Sequence, residues 1–87
     1  MAYRLAIRPA AERDLRALPA PILARVDAQI RALADAPRPR GAVRLRGPQG
    51  GWRLRVGAYR VLYDVDDGQQ LVIIGRVRHR RDVYRGR

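Results

Sequence analysis

GGWRLRVGAYRVLYDV, residues 50–65, sets two runs of alternating side chains on either side of a Gly57-Ala58 pair. Glycine first in a two-residue connection suits a type II′ turn, the kind that joins hairpin strands. That turn pairs Val56 with Tyr59, Arg55 with Arg60, Leu54 with Val61 and Trp52 with Tyr63. Directly opposed side chains share a face and stand roughly 5 Å apart. One face of the hairpin is therefore apolar: Trp52, Leu54, Val56, Val61 and Tyr63. The other carries Arg53, Arg55 and Arg60 with Leu62. Like charges opposed across a sheet destabilise it, and Asp64, the nearest carboxylate on that face, cannot neutralise three guanidiniums. A solvated sheet face often holds arginine. Three converging from two strands fit better a ligand with repeated negative charge, because guanidinium is a planar fork of donors matched to phosphate.

Upstream, Tyr3 to Arg8 alternates and reads as a first strand. Pro9 suits the first turn of a helix, and Ala11, Leu15 and Leu18 lie on one helical face. Pro19 and Pro21 end that helix and begin another, whose apolar positions Ile22, Val26, Ile30 and Leu33 run to about Ala36. Two helices joined so tightly form an antiparallel hairpin. Residues 37–51, PRPRGAVRLRGPQGG, read as a loop, with Val43 and Leu45 as anchors in a short extended piece. Downstream, DDGQ (66–69) is a turn, and Leu71 to Val77 is apolar on both faces, as a buried central strand is. A three-residue turn with Gly68 in a left-handed bulge places Arg78 on the face of Arg60. A two- or four-residue turn sends it to the helix side, where an unpartnered charge is costly, so the bulge is preferred. The order is β-α-α-β-β-β: an α+β fold with a helical hairpin on one face of a mainly antiparallel sheet. Residues 1–87 form one domain, closed by a basic tail at 79–87.

Composition narrows the partner. The 87-residue chain has a formal charge of +11, no cysteine and one histidine, His79. No thiolate or ordinary histidine metal site is available. A GC-rich coding bias would explain why every basic residue is arginine, but not where the charge falls. Residues 1–37 hold six arginines and four acids, net +2; residues 38–87 hold thirteen and four, net +9. A field concentrated in one half points to an anionic partner, nucleic acid or an acidic protein segment. Neither a signal-peptide core nor an apolar run of roughly 20 residues is present, so the expectation is a soluble cytoplasmic protein without a membrane partner.

The segment W-R-L-R-V-G-A-Y-R-V-L-Y, the apolar strand after it and the ending R-V-R-H-R-R-D-V-Y-R together resemble the RelE/ParE toxin superfamily, chiefly its RelE-like branch. The likeness extends to the opening strand and the helical hairpin. It implies a toxin of a type II toxin–antitoxin system that cuts mRNA in the ribosomal A site: a ribose 2′-OH attacks the adjacent phosphodiester, with no metal or other cofactor. By that resemblance Arg53, Arg55, Arg60, Arg78 and Tyr84 take the catalytic positions, Tyr84 stacking on an mRNA base; a tail anchor is its plainer role. Some members carry lysine where this chain has Arg53 and Arg55, which weakens a proton-transfer role there. Arg44, Arg46, Arg76, Arg80 and Arg81 are further candidates for RNA contact.

Cleavage of this kind builds charge on phosphoryl oxygens, which arginine can neutralise. It also needs a base for the 2′-OH and an acid for the leaving 5′-oxygen. His79 alone titrates near neutrality without a large shift and is the candidate acid/base group; a surface histidine in a basic tail is the alternative. The resemblance further implies a cognate antitoxin with an acidic segment on the helical hairpin or the sheet edge, and DNA contact only through that antitoxin. Two other readings remain open: a ParE-like DNA gyrase inhibitor without nuclease activity, and an inactive RNA-binding module.

Overall fold

Pro9 and the Pro19/Pro21 pair divide the N-terminal half as proline chemistry requires. In the computed structural model, which describes residues 2–46 and 51–81, β1 spans Arg4–Ile7, α1 Pro9–Arg16 and α2 Ala20–Ala32. Pro9 occupies the first turn of α1, where its missing N–H is no loss. The helix reaching Ala36 in the sequence reading instead closes at Leu33, which caps α2.

Beyond the helices come β2 (Val43–Arg44), β3 (Trp52–Val56), β4 (Tyr59–Asp66) and β5 (Leu71–His79). They form one five-stranded sheet in the order β1-β5-β4-β3-β2. β1 runs parallel to β5, and every other pair is antiparallel. The loop expected over 37–51 thus contains the two-residue strand β2, which pairs Val43 with Arg53 and Arg44 with Trp52. β1 and β2 are the two sheet edges, so the helical hairpin carries the chain across one face from edge to edge.

That face holds the core. Ala11, Leu15, Val26, Ile30 and Leu33 from the helices meet Leu54, Val56, Val61, Tyr63, Val72, Ile74 and Val77 from the sheet. The helix and strand periodicities converge on this one layer. Gly57 has φ +60°, as the first central residue of a type II′ turn does. The hairpin register follows: Val56–Tyr59, Arg55–Arg60, Leu54–Val61, Arg53–Leu62 and Trp52–Tyr63. Polar contacts tie the loops down. Tyr63 Oη donates to the Pro37 carbonyl at 2.7 Å. Asp67 accepts from Tyr3 Oη at 2.7 Å and from Arg38 Nη2 at 2.6 Å.

The β4–β5 connection departs from expectation. Asp66 pairs with Leu71 across residues 67–70, so the turn is four residues long and has no three-residue Gly68 bulge. The irregularity lies inside the sheet: Leu62 pairs with Arg76 but Tyr63 with Ile74, leaving Gly75 as the extra residue. A bulge shifts face parity by one wherever it sits. Arg60 therefore pairs with Arg78 and both share a face, as expected but for a different local reason.

Candidate nucleic-acid interface

The sheet face opposite the helices collects the arginines. Arg55, Arg60 and Arg78 are in direct register across β3, β4 and β5, and Arg53 lies one pair further along beside Leu62. Neighbouring strands lie about 4.8 Å apart, so the row is about 10 Å long. Its middle member, Arg60, is buried at 9% exposure, whereas Arg55 is exposed. Among the described residues, Arg53, Arg55 and Arg78 enter no ion pair. Asp66 has its carboxylate turned to Gln69, which donates at 3.1 and 3.2 Å.

Arg76 shares this face through its pairing with Leu62, but Asp14 holds it. The Asp14 carboxylate accepts from Arg76 Nε at 2.8 Å, from Arg76 Nη2 at 3.2 Å and from the Val77 backbone N–H at 2.8 Å. β1 stops at Ile7, opposite Ile74, so the following stretch of β5 has no strand beside it there. Asp14, on α1, supplies the missing acceptor at Val77. Burial alone would push its pKa up. The bonds from Arg76 and Val77, with the charges of Arg76 and Arg78, outweigh that and hold it below the ordinary value. Arg76 thus has a structural role in place of the free RNA contact expected of it. Nothing in the local pattern around Asp14 points to β5, 62 residues away.

Two other expectations change with the register. Arg44 pairs with Trp52, so it belongs to the helix-side face; its guanidinium lies 5.8 Å from the indole centroid, with Arg38 at 5.7 Å. His79 pairs with Tyr59, also on the helix side, and the two rings meet edge to face at 5.1 Å. Its Nδ1 accepts the Arg81 N–H at 3.2 Å, which places the proton of a neutral ring on Nε2. The sheet therefore separates His79 from the arginine row. Arg46, Arg80 and Arg81 are exposed, and the Arg80 N–H is bonded to the Ala58 carbonyl at 2.7 Å. Tyr84 lies outside the described residues. The arrangement is suited to binding phosphate: guanidiniums, planar forks of donors, on a strand scaffold. Among the described residues there is no cluster of acids and histidine able to hold a metal ion, and no helix long and apolar enough to cross a membrane.

Comparison with known proteins agrees with this geometry. Residues 5–84 match the family model described as the ParE toxin of the type II toxin–antitoxin system parDE. Toxin RelG of Mycobacterium tuberculosis H37Rv is 40% identical over 86 residues, covering 98% of this chain and 99% of the relative. The toxin–antitoxin complex RelBE2 of Mycobacterium tuberculosis contains a chain 37% identical, with TM-score 0.81 and coverage of 91% and 92% of the two chains. In the archaeal RelE–RelB complex of Pyrococcus horikoshii the values are 28%, 0.81, 92% and 97%. A common fold, end-to-end sequence similarity and an arginine-lined sheet lead to one assignment: the chain belongs to the RelE/ParE family of type II toxin–antitoxin toxins.

Proposed function

We propose that this toxin is a metal-independent mRNA endoribonuclease that works in the ribosomal A site and inhibits translation. The observation that carries the reading is the Arg55–Arg60–Arg78 row, extended by Arg53, on one rigid sheet face. In the proposed reaction the ribose 2′-oxygen attacks the adjacent phosphorus, the P–O5′ bond breaks and the 5′-oxygen leaves. Negative charge grows on the non-bridging oxygens, and the arginines stabilise it. The 2′-OH proton must pass to a base and the 5′-oxygen must gain one. Arginine does neither efficiently, and His79 lies across the sheet. A site strong in charge and weak in proton transfer gains most from a partner that holds the RNA in line for attack. The ribosome fills that role in this reading.

A cognate antitoxin restrains the toxin in the same reading, as the antitoxin-bound similar structures support. β2 covers only the Trp52–Arg53 end of β3. Beside the remainder lies a groove of about 570 Å³ against α2, lined by Arg25, Gln29, Arg40 and Arg55. Its three arginines suit an acidic extended segment along the strand edge. DNA contact comes through the antitoxin.

The test is a translating extract supplied with purified toxin, its mRNA ends mapped by primer extension. Arg60→Ala and the more exposed Arg55→Ala run alongside, each checked for folding by circular dichroism. New ends within codons, lost in folded variants, are expected. Intact mRNA with inhibition of gyrase supercoiling would replace this reading with the gyrase-directed one.

A further inference from the structure

Two rows of side chains cross the arginine face. One holds Arg55, Arg60 and Arg78; the other holds Arg53, Leu62 and Arg76. They are two residues apart on every strand, about 6.7 Å. Each row carries a guanidinium on β3 and another on β5, so a phosphodiester could be gripped at either. The rows differ in chemistry. A phosphate seated on the second lies over Leu62, about 6.7 Å from the place beside Arg60. A hydrogen bond spans only about 3 Å, so Arg60 is out of reach from there.

Asp14 makes the rows unequal in charge as well. Its carboxylate accepts from Arg76 Nε at 2.8 Å and Nη2 at 3.2 Å. That pair turns the β5 end of the second row into a neutral group. Arg78, at the β5 end of the first row, enters no ion pair among the described residues. The positive potential therefore peaks on the first row, and potential is what draws a polyanion to one place on a surface. Packing does not account for the charged pair. The Val77 N–H that Asp14 also binds needs one acceptor, which a neutral oxygen supplies. Leu62, paired with residue 76 across the strands, would accept an apolar neighbour there. An ion pair with its arginine 43% exposed contributes less to stability than a buried one.

We infer that Asp14 is a positioning residue for mRNA cutting: by holding and neutralising Arg76 it confines the reacting phosphate to the Arg55–Arg60–Arg78 row. It acts through Arg76 and touches no substrate. The inference rests on the proposal that this face binds and cuts mRNA, and it adds what sets the position of the RNA along the strands.

The test uses the purified full chain and programmed ribosomes, with the rate of mRNA cutting measured against toxin concentration. Wild type, Asp14→Asn, Asp14→Asn/Arg76→Gln and Ile30→Val are compared at a temperature where circular dichroism shows all four folded. Asparagine keeps an oxygen for Val77 and leaves Arg76 without its counter-charge. Ile30, 1% exposed in the core on the other side of the sheet, gives a modest destabilisation remote from the arginines. Asp14→Asn should lower the maximal rate about ten- to hundred-fold, the scale of loss for a misplaced reacting group. Its half-saturating concentration should be unchanged or lower, because the freed charge favours RNA. Removing that charge in Asp14→Asn/Arg76→Gln should restore the rate to near that of wild type, and Ile30→Val should stay there throughout. Cutting by Asp14→Asn at the wild-type rate, a double variant as slow as the single one, or an equal loss in Ile30→Val would each overturn the positioning role and leave the nuclease standing. Absence of cutting by the wild type would overturn both.

Discussion

Asp14→Ala probes the contact on which the β1–α1–β5 corner depends. The Asp14 carboxylate is 17% exposed and the Arg76 side chain 43%. Alanine removes both bonds from Arg76 and deprives the Val77 N–H of its acceptor. A hydrogen bond to a charged group is worth about 1.5–3 kcal/mol, and breaking a fully buried pair costs about 3–5. Half-exposed Arg76 recovers much of its loss from water, so the expected cost is about 2 kcal/mol. In a domain of this size that lowers Tm by about 8–16 °C. Asp14→Asn keeps a carbonyl oxygen for Val77 and loses the charge, and should cost about half as much. The pH dependence has a definite sign. The folded-state pKa is below its ordinary value, so the stabilisation is complete above the unfolded value, about 3.9. It is lost as pH falls through the lower folded value. Urea unfolding followed by circular dichroism should therefore show the gap between wild type and Asp14→Asn constant above about pH 5 and closing below it, fully only beneath the lowered folded-state value. An Asp14→Ala loss under about 0.5 kcal/mol, or parallel pH profiles, would refute the reasoning.

Arg55→Ala removes the cross-strand like charge opposite Arg60. It should leave stability unchanged or raise it by about 0.2–1 kcal/mol while weakening RNA binding; urea midpoints and binding isotherms read the two effects separately. Gly57→Ala forces an L residue to φ +60° without a steric clash, the nearest Arg25 atom lying 3.7 Å from the added Cβ. The expected loss is about 1–2 kcal/mol from backbone strain alone, measured as a lower urea midpoint. His79→Gln should retain mRNA cutting within a few-fold in the translating extract, because the ring lies with Tyr59 on the helix side; a loss of a hundred-fold or more would return His79 to the chemistry.

Legibility in the sequence tracked the range of the interaction. Alternation in β3 and β4, the apolar spacing of α2, the prolines and the Gly57 turn are local signals, and each acts through its own backbone. They determined the element order apart from β2, the hairpin register, the apolar layer and the placing of Arg53, Arg55 and Arg60 opposite it. The β3–β4 pairs agree with that reading residue by residue; in the core Trp52, Leu18 and Ile22 are only partly buried, and Val43, expected as an anchor, is exposed. The family followed from the same motifs, because the arginine pattern and the hairpin share one stretch.

Only the tertiary structure decided which strand lies beside which, and the site depends on that. β1 ends early along β5, so the Val77 N–H, left without a strand partner, and the Arg76 side chain recruit Asp14 from a distant helix. β2 pairs at the far edge and carries Arg44 to the Trp52 side. The Gly75 bulge, not the turn beside Gly68, brings Arg78 to Arg60. A one-residue change of register reverses the face of every side chain beyond it. That register is settled by the packing of the whole sheet, so no window of sequence contains it.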